Sequence, residues 1–368
     1  MENNNTQLQL GELYPAVKEE IKQMIYPEEV KSLSFAPLEA WGEQGTRSDT
    51  YRVVTEGSSK DYIIKRYLNG NENGSYKDFI TEKAVLKIGN DKMEGLFPKL
   101  LSYNNEEFNK RKMLLLEIVN KDTLEQTIAK KREKNEKVSF REAEWESALD
   151  PLVRLHRGLY RHLGFINQEL NSLSNGKFKE LEIASPEEYK TKFSTALGKV
   201  FGEIPLDARD EIAGKFFDLS HGINKKEYES IIQFDGYPWH NTLTSLIDAG
   251  CVKVGSCAHH IGSLFGNSIF YSVLENPREA LSHLATMYLI KVEKERYPAE
   301  TKKEINLKDF EKAIYTNSVF LNVYASAGSK RNNLMNGNIK SAIKQQLEYL
   351  KEFDDAREFS SSFLKYLV

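Results

Sequence analysis

The chain predicts an α+β fold of two lobes, a small antiparallel-sheet lobe followed by a large, mainly helical one. Three observations carry this. Up to Val119 the apolar residues fall in short Val-, Ile- and Tyr-rich runs separated by turn formers, with one strong helical pattern among them. After Val119 helical spacing takes over, and it is interrupted once, between Gln233 and Gly266, by a stretch dense in acid, amide and imidazole groups. The domain division expected from this is 1–118, including an N-terminal helix over 11–26, and 119–368.

Leu13, Val17, Ile21, Met24 and Ile25 recur at helical spacing, and Pro27 stops the pattern. Leu33–Ala40, Thr50–Thr55 and Asp61–Leu68 read as strands, the last two joined by the turn EGSSK. After the NGNENGS loop, Phe79, Ala84, Val85, Leu86 and Ile88 mark a helix, and Leu96–Tyr103 and Lys112–Val119 are again strand-like. In the second lobe Thr123–Lys131, Phe140–Leu163, Pro186–Phe201, Leu206–Leu219 and Lys225–Ile232 have helical spacing, although Ile231-Ile232 alone resembles a short buried strand, as does Leu246-Ile247. The mixed-sign run AKKREKNEK reads as a solvated helix end. Pro277–Val292, Leu307–Ala325 and Ile339–Phe353 complete the helices, with Pro277 suited to a first turn.

The 368 residues suffice for a large core, and 51 Lys+Arg against 54 Asp+Glu leave no basic field to attract nucleic acid or an anionic membrane. The polar start MENNNTQLQL and the short apolar runs predict a cytoplasmic chain with no membrane partner. Cys251 and Cys257 are too few for a disulfide framework and read as reduced thiols.

Asp235 and Asp248 each follow an apolar run, a position from which a rigid element can aim a carboxylate. With Asn241 they make a candidate magnesium–nucleotide site, because phosphoryl transfer needs one Asp to orient the attacking hydroxyl, an amide and a second Asp to hold the cation, and a Lys to neutralise phosphate. Lys65, late in YIIKRYL, can supply the ammonium, with Glu82 in FITEKAVL as its partner; the backbone at Glu117 and Val119 can meet an adenine edge where the lobes join. His240, His259 and His260 near the two cysteines leave a helical zinc hydrolase as a further class, although their spacing is irregular. His156 reads as a hydrogen-bonded core imidazole, and Trp239 either lines a pocket or covers the loop.

Taken together, YIIKRYL, FITEKAVL, LLLEIVNKDTL, LVRLHRGL (Leu152–Leu159), FDGYPWHN and LIDAG resemble the aminoglycoside phosphotransferase and choline kinase branch of the protein-kinase-like fold, over roughly Leu33 to Leu289. The resemblance implies that Asp235 orients the substrate hydroxyl, that Asn241 and Asp248 bind Mg2+, and that Lys65 holds the phosphates of ATP. It also implies a helical insertion from Gly164 to Ser230 on the substrate side. The implied substrate is a small polar molecule with a hydroxyl, such as an amino alcohol, a sugar or an antibiotic. Three departures stand out. Gln233 replaces the usual His, the Asp-to-Asn spacing is six rather than five, which puts His240 at the amide's place in an ungapped alignment, and His260 replaces an Asp that braces the catalytic loop. A competing register makes Asp248-Ala249-Gly250 a hairpin turn and puts Ser256 at the magnesium position. The alternative function is a catalytically impaired pseudokinase that binds nucleotide or protein.

Overall fold

Strand alternation sets out the first lobe. In the computed structural model the described residues are 17–25, 32–37, 48–56, 62–67, 72–117, 122–223, 228–234, 241–250, 252–295, 305–328 and 332–367. Helix α1 covers residues 17–24, within the expected 11–26. Strands β1 (Ser32–Pro37), β2 (Ser48–Glu56) and β3 (Tyr62–Tyr67) are followed by helix α2 (Glu72–Lys92), β4 (Lys99–Leu100), α3 (Glu106–Lys110) and β5 (Met113–Glu117). The strands form one antiparallel sheet in the order β1-β2-β3-β5-β4. Successive side chains of a strand point to opposite faces. Tyr62 and Ile64 therefore join Val53, Met113 and Leu115 under α1, whose Val17, Ile21 and Ile25 cover that face with Phe108. Ile63 and Tyr67 join Leu114 and Leu116 on the other face, against Phe79, Ile80 and Ala84 of α2. Lys65 lies between Ile63 and Tyr67 in this alternation, so β3 delivers its ammonium to the α2 side.

The expected strand Leu96–Tyr103 shrinks to Lys99–Leu100. Leu96 and Phe97 are buried in the core instead. The side chain of Asn90 takes up the Pro98 carbonyl and the Leu100 N–H, at 3.1 and 2.8 Å, and Asn105 caps α3 directly afterwards.

The second lobe begins with α4 (Leu124–Glu133), started by a capping box on Thr123. The single helix expected over Phe140–Leu163 is instead α5 (Ala143–Ser147), α6 (Leu149–Val153), a π-turn over Arg154–Leu159, a 3-10 turn over Tyr160–His162, and α7 (Leu163–Leu173). Pro151 has no N–H to continue the ladder from α5, and Phe140 is drawn out of helix into an aromatic cluster with Trp145, Phe265 and Phe270. Helices α8 (Pro186–Val200) and α9 (Leu206–Ile223) follow, then a two-stranded ribbon of β6 (Glu229–Gln233) and β7 (Val252–Ser256). Residues 229–232 are thus strand, not the tail of a helix. Ile231 and Ile232 are both fully buried, which a strand covered on both faces achieves and a one-faced helix does not. Leu246-Ile247 forms no strand; Leu246 makes only an isolated bridge to Asn241.

The chain ends with α10 (Cys257–Phe265), α11 (Ser268–Tyr271), α12 (Pro277–Lys294), α13 (Leu307–Gly328), α14 (Asn332–Leu350) and α15 (Arg357–Leu364). Helix α13 is central to the lobe, packed by α8, α9, α10, α12 and α14. Gly262 lets α10 approach it closely: a Cβ there would lie 2.6 Å from the Ile314 carbonyl oxygen and 3.1 Å from the Ser318 nitrogen. Both obstacles are backbone, so side-chain rotation does not relieve the clash. Gly262→Ala should therefore cost about 1–3 kcal/mol by overpacking, seen as a lower urea midpoint with an unchanged m value. An unchanged midpoint would show that the crossing of the two helices is looser than this.

Candidate active site

The site is built around one ammonium largely shielded from water. Lys65 Nζ lies 2.8 Å from Glu82 Oε2 and 3.0 Å from Asp248 Oδ1, which joins a strand, a helix and a loop 183 residues away in sequence. Glu82 is almost wholly buried (1 % exposed), whereas Asp248 keeps 25 % of its side-chain surface and marks the open side of the group. Burial alone would lower the Lys65 pKa, but the carboxylates of Asp248 and Glu82 outweigh it and hold the ammonium firmly protonated. Burial pushes Glu82 up to about 7, against the pull of Lys65 and of a hydrogen bond from the Ala249 backbone, because Asp248 adds a second negative charge nearby.

Asp248 is fixed from both of its ends. Its carboxylate accepts the Gly250 N–H at 2.8 Å, and its backbone carbonyl accepts a hydrogen bond from the Gln233 amide at the end of β6. Gly250 makes room for the group: a Cβ there would meet Glu82 Oε2 at 3.0 Å, and Asp248 Oδ1 and the Tyr67 hydroxyl at 3.2 Å each, tight enough that these side chains would have to give. Upstream, Asn241 is buried opposite Leu246 in a tight turn, closed by Thr242 N to Ser245 O at 2.9 Å and by the Thr242 hydroxyl. That turn accommodates the short spacing between Asn241 and Asp248. Its backbone is tied to both lobes, since Leu124 N donates to Asn241 O at 2.8 Å and Leu246 N to Leu96 O at 2.9 Å. Of the two registers, Asp248 is the one that meets Lys65, while Ser256 closes β7 ahead of α10.

Glu117 ends β5 in register with Tyr62 and Lys99. Val119, Asp235 and His240 lie outside the described residues, as do Trp239 and Cys251. Phe234, the last described residue before Asp235, stacks on His259 with centroids 4.9 Å apart, and its carbonyl lies 2.9 Å from His259 Nε2. His259, which the sequence suggested only as a zinc ligand, is thus what holds this backbone. His260 turns to the core, with Nδ1 2.9 Å from His156 Nε2, and His156 Nδ1 meets the Tyr288 hydroxyl at 2.8 Å. Among the described residues no three His, Cys, Asp or Glu side chains gather as a metal site. These imidazoles are committed to hydrogen bonds, so the zinc reading finds no support there. A carboxylate and an amide are hard oxygen donors of the kind magnesium takes in ones and twos, with phosphates and water completing its shell, so Asp248 and Asn241 fit that cation by chemistry. Tyr67, Gly250 and Gln233 were not singled out for these contacts by the sequence. The only signal for Gly250 is its place directly after Asp248-Ala249.

No protein-family model and no curated protein matches the chain in sequence. Solved structures do match in shape. A Plasmodium vivax ethanolamine kinase superposes with a TM-score of 0.51 at 13% identity, over 94% of this chain and 84% of that one. The chain shares the two-lobed protein-kinase-like fold of that enzyme. An ADP-bound aminoglycoside phosphotransferase aligns with a TM-score of 0.47 at 13% identity, over 96% of this chain and 99% of that one.

The buried imidazoles make stability depend on pH. Burial lowers His156 to about 3 and His259 to about 4, from an ordinary value of 6.5. Groups with depressed values stabilise the fold above 6.5, and that contribution is lost as the pH falls, by about 1.4 kcal/mol per pH unit for each imidazole. Glu82, raised to about 7, acts in the opposite sense: its contribution is complete below about 4.5 and is lost as the pH rises through 7. Between pH 6.5 and 4.5 acidification should destabilise the fold, His162, also lowered by burial, acting in the same sense as His156 and His259, and Glu82→Gln should steepen the loss. Urea unfolding at half-unit pH steps tests this. A flat wild-type profile, or an unchanged slope in the variant, would contradict it.

Proposed function

We propose that the chain is an ATP- and magnesium-dependent phosphotransferase that acts on a hydroxyl of a small polar molecule. The observation that carries this reading is the convergence of Lys65, Glu82 and Asp248 in a protein-kinase-like fold. In a site of this kind catalysis is mostly positioning and charge neutralisation. Lys65 would neutralise phosphate while Glu82 fixes its aim. Asp248 and Asn241 would hold magnesium, with His240 the alternative to Asn241. When bound, the cation supplies charge neutralisation at the phosphates. Asp235 would orient the substrate hydroxyl and accept its proton. The backbone at Glu117 and Val119 would meet the adenine at a boundary between lobes 1–118 and 119–368.

The partner is then a small hydroxylated substrate, without nucleic acid. No helix among the described residues is long and apolar enough to cross a membrane. The alternative is a catalytically impaired pseudokinase, which keeps the fold without transfer and binds nucleotide or protein.

The test is thermal unfolding with millimolar MgATP together with assays of ADP release. Ligand at a hundred times its dissociation constant stabilises the native state by about 2.7 kcal/mol, so wild type should show a clear rise in Tm. Asp235→Asn should keep that rise and lose transfer, whereas Asp248→Asn should lose both. No rise for wild type would reject the nucleotide site. A rise with no transfer to any hydroxylated acceptor would select the pseudokinase. Full turnover by Asp235→Asn would overturn the catalytic assignment.

A further inference from the structure

Glu82 can aim Lys65 only while it is itself held. Its Oε2 accepts from Lys65 Nζ at 2.8 Å and also from the phenol of Tyr67, two residues along β3, while the Ala249 N–H donates to the same carboxylate. Tyr67 is 4% exposed, and its ring packs edge-on against Phe79 of α2, with centroids 5.7 Å apart. The missing Cβ of Gly250 leaves room for the phenol, Glu82 and Asp248 to converge. One β-strand therefore supplies both the ammonium and a neutral donor to the same buried oxygen, and the Asp248 loop supplies the third donor.

We propose that Tyr67 is a positioning residue for the nucleotide site: through its hydroxyl it holds Glu82 against Lys65, so that the pair is assembled before nucleotide arrives. This rests on the phosphotransferase reading above. It goes further by assigning a role to a side chain outside the proposed contacts with ATP and magnesium. The physical need arises from competition. Lys65 lies between two carboxylates, and if Asp248 is to turn to a cation, Lys65 must stay with Glu82. A carboxylate with 1% exposure has almost no water to hold it in place. Hydrogen bonds to a charged group are stronger than those between neutral groups. With the phenol gone, Glu82 keeps Lys65 and the Ala249 backbone donor, and α2 loses a hydrogen bond that ties it to β3.

Tyr67→Phe removes the hydroxyl and keeps the ring on Phe79. MgATP affinity, measured by calorimetry on the full chain, should fall about tenfold or more, while the Tm without ligand falls by no more than about 5 °C, as the loss of one hydrogen bond to a buried carboxylate requires. Tyr67 acts through Glu82, so Tyr67→Phe should have almost no further effect in a Glu82→Ala background. A role limited to packing predicts that the two losses add. Tyr67→Leu, which also removes the ring, should lower the Tm and bind MgATP no better than Tyr67→Phe. Unchanged affinity in Tyr67→Phe, or additive losses in the double variant, would overturn this inference and leave the phosphotransferase reading standing. A wild-type chain that does not bind MgATP would overturn both.

Discussion

One ammonium between two carboxylates, largely shielded from water, is the constraint that the rest of the structure serves. Removing the Lys65 ammonium would leave two carboxylates facing each other, one of them almost wholly buried, at a cost of several kcal/mol, whereas the complete group is tolerable because each member has partners. Strand alternation puts Lys65 on the α2 side of the sheet, and α2 places Glu82 beneath it. The third member comes from a loop in which Thr242–Ser245 turns tightly and Gly250, with no side chain, leaves the carboxylates and the Tyr67 phenol room to meet. The three side chains carry one positive charge against two carboxylates. That surplus of negative charge on the exposed side of the group is suited to a divalent cation.

Beneath the loop, neutral groups do the holding. Gln233 secures the Asp248 backbone, His259 secures Phe234, and His156 joins His260 to Tyr288. Gln233 and His260 thus take part in a hydrogen-bonded interior made of neutral groups. Burial keeps His156 and His259 uncharged at neutral pH, so the support beneath the loop adds no field that competes with the charged group above it. In such networks every buried donor and acceptor needs a partner, which explains why amides and imidazoles fill these places rather than apolar side chains.

How much of this is legible in the sequence depends on the range of the interaction. Lys65, Glu82 and Asp248 can be picked out because their order along the chain and their apolar flanks follow a recurring pattern. The two-lobed architecture follows from the change of hydrophobic period after Val119. The break in 140–163 is harder to see, because α5, the π-turn and α7 share one apolar periodicity and the tertiary pull on Phe140 is not local. Residues 229–232 mislead for a related reason, since a short, fully apolar run suits either a helix end or a buried strand until a partner such as β7 decides it. The contacts of Tyr67, Gln233 and His259 join positions 15 or more residues apart through single atoms. Nothing in local composition marks them.

On the proposed function, the Lys65–Glu82–Asp248 group is a nucleotide site at rest. A crystal structure with a non-hydrolysable ATP analogue and magnesium tests it most directly. In that complex Asp248 should leave Lys65 for the cation, while Lys65 keeps Glu82 and turns its remaining donors to phosphate. Nucleotide bound elsewhere, or a cation distant from Asp248 with the Lys65–Asp248 contact intact, would contradict it.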